Sequence, residues 1–228
     1  VIAIVTPDDM RAVDAAAAEP TDVLVRRAGS AVARAAVRMM GGTYGRTVVV
    51  LAGGGNNGAD GRVAAEVLAS KGVRVHVFDA ADCPAELPFA DLVIDAAYGT
   101  GFRGTWNPPA VGDTPVLAVD LPSGVNGLTG EAVGAVLPAT RTVTFAALKP
   151  GLLLGAGSQL AGAVELVDIG LSELANAHTR AHLVQPSDVA AWVPSRTVSA
   201  HKWRAAVRVV AGSPGMSGAA RLAAEAAM

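Results

Sequence analysis

Apolar and polar positions follow two different rhythms along this chain. From Thr21 onward, Val23, Ala28, Val32, Ala35 and Ala36 recur roughly three or four apart, a helical face that closes at Gly41-Gly42. Ahead of it, Thr6-Pro7-Asp8-Asp9 opens a first helix. Thr6 can cap, Pro7 suits the first helical position, and Asp9 stands at capping-box distance, so this helix is predicted to run to about Glu19 and stop at Pro20. After Gly45 the rhythm changes to short apolar runs over residues 48–52, 73–78, 92–95, 116–120, 143–146 and 164–167. Runs of this kind are expected of strands covered on both faces. A helix predicted over 62–71 joins the first two, so they form a parallel, right-handed βαβ unit. The predicted fold class is therefore α/β, a Rossmann-like doubly wound, mostly parallel sheet with helices on both faces.

Between about 171 and 187 the pattern lapses into a connector. Beyond it, 207–211 reads as one more strand, followed by a glycine-rich turn at 212–218 and a helix from Ala219. One βα unit cannot bury both faces of a parallel strand, so this piece reads as an incomplete α/β fragment. The predicted organisation is a main domain over 1–175, a linker over 176–187 and a fragment over 188–228.

Composition narrows the functional classes. The 228 residues are 51% hydrophobic and 17% charged, too apolar for a disordered chain, yet every apolar run is interrupted before membrane-spanning length. A formal net charge of −2 provides no electrostatic footprint for nucleic acid or an anionic membrane. The single cysteine, Cys83, excludes an internal disulfide framework and most cysteine metal clusters. No basic segment leads into an apolar secretion signal, and the expected compartment is the cytoplasm.

Candidate chemistry gathers at three strand ends. Gly53-Gly54-Gly55-Asn56-Asn57-Gly58-Ala59-Asp60-Gly61 joins strand to helix and formally satisfies G-x-G-x-x-G through Gly53, Gly55 and Gly58. Such a turn lets backbone approach a ligand and offers helix-start N–H groups to an anion, although tight packing alone also produces it. Asp79, ending the next strand, lies where a ribose-binding acid would be expected. Asp60, read as lying in the first helical turn, favours the helix dipole but would repel a pyrophosphate. Asp95 is followed by Ala96-Ala97-Tyr98-Gly99-Thr100-Gly101-Phe102-Arg103-Gly104, and Asp120 by Leu121-Pro122-Ser123-Gly124. Ligands of open α/β sheets bind outside the carboxyl ends of the strands, so the three turns are expected to face one crevice. Their oxygens are hard donors, suited to an alkali or alkaline-earth cation rather than zinc. Asp120 is the best candidate to move a proton, because Pro122 stiffens the turn after it. His76, His178, His182 and His201 are scattered, and Cys83 has no positive neighbour in sequence to activate it.

Together these segments resemble the NAD(P)H-hydrate epimerases over about residues 10–171. The resemblance rests on Ala28-Gly29, the 55–61 loop, Asp91-Leu92-Val93-Ile94-Asp95 with Gly99-Thr100-Gly101, Val119-Asp120-Leu121-Pro122-Ser123-Gly124, Lys149-Pro150-Gly151 and Asp168-Ile169-Gly170, in order. It implies interconversion of the R and S forms of hydrated NADH and NADPH, a metabolite-repair activity. Carried over, Asn56, Asn57, Gly58, Ala59 and Asp60, with Gly99, Thr100, Gly101, Phe102, Arg103, Gly104 and Thr105, would line the substrate site. Asp120 would contact the substrate and serve acid–base chemistry, and Asn57, Asp95 and Ser123 would hold a potassium ion. Ala59 replaces a usual glycine, which would strain the loop by about 1 kcal/mol if the position needs positive φ. From about Gln185 the chain resembles the start of the ADP- or ATP-dependent NAD(P)H-hydrate dehydratases, through Asp188-Val189, His201-Lys202 and Gly212-Ser213 through Gly218-Ala219, with Trp203 and Ala206 departing from the pattern. No dehydratase activity is expected of these residues. The resemblance implies a fused dehydratase domain in a longer protein, and a homodimer is compatible with it. Two other classes remain open: a non-catalytic nucleotide-binding or interaction domain, and a dehydrogenase using NAD through Asp79.

Overall fold

The computed structural model describes residues 1–101, 104–193, 198 and 207–227. Two compact units divide the chain, Val1–Val184 and Gln185–Met228. In the first unit the strands are β1 (Ile2–Ile4), β2 (Thr47–Ala52), β3 (Arg74–Asp79), β4 (Leu92–Ala96), β5 (Val116–Val119), β6 (Arg141–Phe145), β7 (Ala163–Val167) and β8 (Ala181–Leu183). Its helices are α1 (Pro7–Ala16), α2 (Thr21–Met40), α3 (Asn56–Ser70), α4 (Gly157–Leu160) and α5 (Ser172–His178), with a 3₁₀ turn over Pro150–Leu152. Six strands form a wholly parallel sheet in the order β3-β2-β4-β5-β6-β7. The chain lays down β2, steps outward to β3, then returns to the other side of β2 with β4. That reversal makes the carboxyl ends of β2 and β4 a topological switch point, where a crevice opens.

All six residues of β2 and all five of β4 are buried, as their unbroken apolar runs predict. On one sheet face Val48, Val50, Leu92, Ile94, Leu117 and Val143 pack with Val32, Ala33 and Ala36 of α2 and Ala64 and Leu68 of α3. The other face differs from the expected helical cover. Val49, Leu51, Val93 and Val116 meet Ala80, Ala90, Trp106 and Leu137, all from connecting segments. Pro108, Pro109, Pro115, Pro122 and Pro138 punctuate those connections and prevent helix continuation.

Helix α1 has the predicted capping box, with the Thr6 hydroxyl and Asp9 carboxylate serving each other's backbone N–H groups. It ends at Ala16 rather than Glu19, and Glu19 instead grips Arg27 through two contacts of 2.6 and 2.7 Å. Arg27 also donates to the Ile169 carbonyl at 2.7 Å, so this exposed pair ties the α1–α2 turn to the segment after β7.

The connector expected over 171–187 is structured, and the domain edge moves from 175 to Val184. Strand β8 pairs antiparallel with β1, and the Val5 N–H and Leu148 N–H continue that pairing toward the end of β6. Three-residue strands at a chain start carry too little periodicity to be read from sequence. In the second unit, α6 (Pro186–Trp192) and α7 (Gly218–Ala226) form, but the strand expected over 207–211 does not, and those residues are exposed. Among the described residues no strand lies beside this segment, and a backbone with no ladder to join does not form one. No helix among the described residues is long and apolar enough to cross a membrane.

Candidate active site at the carboxyl ends of the strands

A cavity of about 690 Å³ lies at the switch point. The ends of β2, β4, β5 and β6 contribute to it, and α1, the start of α2 and Ile169 and Leu171 after β7 close its remaining walls. All three predicted turns reach it.

The first turn is shorter than the glycine pattern implies, because α3 already begins at Asn56. Its glycines serve close packing. A Cβ on Gly53 would stand 1.8 Å from the Ala97 carbonyl oxygen, and one on Gly58 would stand 1.8 Å from the Gly53 carbonyl oxygen. Gly55, Asn56, Asn57 and Asp60 line the cavity, whereas Gly58 and Ala59 face away from it. Ala59 is helical without positive φ, so the strain anticipated there is absent. Asp60 is the fifth residue of α3 rather than part of its first turn, and the residue is 8% exposed. Burial, reinforced by the carboxylate of Asp120, pushes its pKa up to about 8.

The second and third turns are bonded to each other. Asp95 is fully buried, its Oδ2 accepting from the Ser123 N–H at 2.8 Å and its Oδ1 from the Ser123 hydroxyl at 2.6 Å and the Ala97 N–H at 3.3 Å. Burial raises its pKa against these hydrogen bonds. The Tyr98 N–H donates to the Ser123 hydroxyl at 2.8 Å, and the Tyr98 ring meets Trp106 edge-on at 5.7 Å. Tyr98, Gly99, Thr100 and Gly101 line the cavity; Gly104 and Thr105 do not, and Phe102 and Arg103 lie outside the described residues.

Asp120 follows β5 with φ of 66°, and Ala146 follows β6 with φ of 63°. Each is the centre of a three-residue turn closed by an N–H of the next residue, Leu121 to the Val119 carbonyl and Ala147 to the Phe145 carbonyl. Such turns with positive φ are strained, at about 1–3 kcal/mol each, and collect at functional sites. Between them sits Lys149, 1% exposed. Its ammonium donates to Asp120 Oδ1 at 2.5 Å, to the Thr144 hydroxyl at 3.0 Å and to the Phe145 carbonyl at 2.9 Å. The Thr144 hydroxyl donates to the same Asp120 oxygen at 3.0 Å. Asp120 is thus a carboxylate in an ion pair, one side of which opens to the cavity.

Sequence reasoning did not nominate Lys149, Thr144, Asp14 or Tyr98 as site residues. For Lys149 a signal existed: a lone cation directly after the apolar 143–148 segment, where burial demands a partner. Asp14 reaches the cavity from α1, and desolvation raises its pKa. Asp79 is half-exposed, caps the Ala81 N–H at 3.0 Å and lies 3.6 Å from Arg62, away from the cavity. The ribose role, and with it the dehydrogenase reading, loses its residue. Among the described residues no three His, Cys, Asp or Glu side chains group as a metal cluster. Cys83 is partly buried, which raises its pKa.

Strand ends that converge at the switch point of a parallel sheet, around one carboxylate-rich cavity, define a Rossmann-like α/β domain with a ligand cleft. The family model described as YjeF-related protein N-terminus matches residues 21–87 and 80–151, together more than half of the chain. An NAD(P)H-hydrate epimerase of Microbacterium testaceum is 38% identical, over 75% of this chain and 79% of its own length. The bifunctional NAD(P)H-hydrate repair enzyme Nnr of Moorella thermoacetica is 35% identical over 92% of this chain, which spans 48% of that protein. The crystal structure of the yeast protein YNL200c superposes with a TM-score of 0.54 at 20% identity, covering 72% of this chain and 87% of that one. The chain therefore belongs to the YjeF-related N-terminal family, that of the NAD(P)H-hydrate epimerases, and spans about half the length of the bifunctional relatives it matches.

Proposed function

We propose that this chain is an isomerase that interconverts the R and S epimers of hydrated NADH and NADPH. The observation that carries the proposal is the Asp120–Lys149 ion pair in the wall of the cavity, in a chain whose relatives named NAD(P)H-hydrate epimerase align over about three quarters of it. Inverting a carbon that bears a hydroxyl requires a group that takes or gives a proton. Asp120 fits that need: its ammonium partner holds one carboxylate oxygen while the cavity face stays free to meet the substrate. Asn56, Asn57, Gly99, Thr100 and Gly101 line the cavity and would contact the coenzyme there. A cavity of about 690 Å³ suits the nicotinamide end of a dinucleotide and part of its ribose-phosphate.

A potassium ion belongs to the same proposal, held by Asn57, Asp95 and Ser123. Their chemistry fits it. Asp95 is a fully buried carboxyl whose three donors are all neutral, so a cation would compensate its charge. Asn57 Nδ2 is buried without a hydrogen-bond partner; turned about, the amide would present its oxygen instead. When bound, the ion would supply fixed positive charge beneath the cavity floor.

The test is an equilibrated mixture of hydrated NADH epimers given to a separate S-specific dehydratase with ATP, in potassium buffer. Adding the wild-type chain should drain the R epimer far faster than its spontaneous conversion, and Asp120→Asn should not. Replacing potassium with a bulky organic cation should slow the wild type. An R epimer that persists in the presence of a chain that binds it would leave a binding module.

A further inference from the structure

Asp60 combines three features that Asp120 lacks. It is buried on α3 in the cavity wall, no described residue donates a hydrogen bond to it, and no cation pairs with it. The titratable groups facing it are Asp14 from α1, Asp120 after β5 and Lys149 after β6, and Lys149 is committed to Asp120. Helix α2 presents Gly29 to its backbone, where a Cβ would stand 2.6 Å from the Asp60 carbonyl oxygen, so α2 adds no charge there. A carboxyl in such surroundings keeps its proton, and its hydroxyl has only the cavity to donate into.

We propose that Asp60 is a second catalytic residue, the neutral carboxyl that protonates the departing hydroxyl of the hydrated nicotinamide while Asp120 serves as the base. The assignment rests on the epimerase function proposed above. Hydration of a dihydronicotinamide enamine puts the hydroxyl on the carbon beside the ring nitrogen. Breaking that C–O bond uses the nitrogen lone pair to form C=N, and the departing oxygen takes the Asp60 proton and leaves as water. Water then adds to the opposite face of the same carbon; its proton passes to the Asp120 carboxylate and the C=N electron pair returns to nitrogen. No redox change occurs, one water is released and one consumed, and the proton moved from Asp60 to Asp120 returns by exchange with solvent. Two carboxyls held in opposite protonation states by different surroundings are what such an acid–base pair requires.

The experiment measures R-to-S conversion from pH 6 to 9 with the coupled dehydratase, for wild type, Asp60→Asn and Asp60→Glu. Wild-type kcat should fall as pH rises through about 8, where Asp60 loses its proton. Asp60→Asn should lower kcat by about 100-fold or more, change KM less than threefold and lose the alkaline fall, and Asp60→Glu should recover part of kcat. Carbon-13 NMR of chain labelled at the aspartate carboxyls supplies a readout besides rate: a carboxyl should titrate near pH 8 in wild type and be missing from Asp60→Asn, which separates it from Asp14 and Asp95, whose pKa values burial also raises. Asp60→Asn with kcat within threefold of an active wild type, or an unchanged alkaline limb, or no carboxyl titrating above pH 6, overturns the assignment while the epimerase function stands. A wild type inactive at every pH removes both.

Discussion

Asp60→Asn should raise the stability of this fold, by an amount that depends on pH. In the folded chain the Asp60 carboxyl holds its proton up to about pH 8, whereas in the unfolded chain it releases it near the ordinary 3.8. Between those values the folded state carries one more proton than the unfolded state, so raising the pH favours unfolding. The penalty is absent below pH 4, grows by about 1.4 kcal/mol per pH unit and is complete above pH 8. From pH 5 to pH 8 the wild type should lose up to about 4 kcal/mol through this group alone. Asparagine has nearly the same shape and no proton to lose, so the variant escapes the penalty. For a unit of this size the whole gap at pH 8, about 5 kcal/mol, corresponds to a melting point about 10–20 °C above wild type, shrinking toward zero near pH 4. Urea unfolding at pH 5, 6, 7 and 8, followed by the fluorescence of buried Trp106, measures it directly. Taking the difference between the two proteins cancels groups that titrate alike in both, including Asp95. A difference that stays constant from pH 5 to pH 8 would refute the claim that burial keeps Asp60 protonated.

Three further substitutions, one of them also in a double variant, probe the architecture around the cavity. Lys149→Met leaves Asp120 and Thr144 without their ammonium and should cost about 3–5 kcal/mol, while Lys149→Met combined with Asp120→Asn should recover at least about 2 kcal/mol of it, read as the coupling in a denaturation double-mutant cycle. Along the glycine run, Gly58→Ala should destabilise by about 1–3 kcal/mol, because its Cβ would meet the Gly53 carbonyl. Gly54→Ala, with open space and no positive φ, should gain about 0.4–1 kcal/mol; thermal melts of the two separate close packing from loop freedom.

Much of this fold was legible because its central strands are buried on both faces, and unbroken apolar runs such as 48–52 and 92–95 have few other uses. The site was legible at its strand ends for the same topological reason: Asp95 and Asp120 each close a buried strand, and polar groups there can face only a turn or a ligand. What escaped has physical causes too. Lys149 does its work from four residues beyond its strand, through a strained turn at Ala146 that no local pattern announces. The environment of Asp60 depends on where α3 begins, and the glycines that seemed to prolong the loop are instead the means by which the helix packs against β4. Strands β1 and β8 specify each other only as a pair, across nearly the whole length of the first unit.

Two of the cavity's carboxyls, Asp120 and Asp60, differ because the sheet and the helix offer different partners. A residue just past a parallel strand lies beside the end of the next strand, so Asp120 has Thr144 and Lys149 within reach, and the N–H of its own turn bonds to the Val143 carbonyl. A residue in the second turn of a helix has no free backbone N–H to use, since the helix has already engaged them, and Asp60 faces the carboxyls of Asp14 and Asp120 while the nearby Lys149 is committed to Asp120. Exchanging the two environments would therefore require exchanging secondary structure, not merely side chains. The asymmetry is written into the crossing of α3 over the β2–β4 switch point: the strand side is supplied with a cation, and the helix side is left with an uncompensated acid whose stability cost appears only as the pH rises. Selection that kept the fold while removing the chemistry would be expected to replace Asp60 first, since that change stabilises the fold, whereas replacing Asp120 strands a buried ammonium. Asp60 present together with Asp120 and Lys149 is thus a stronger argument for catalysis than any of the three alone.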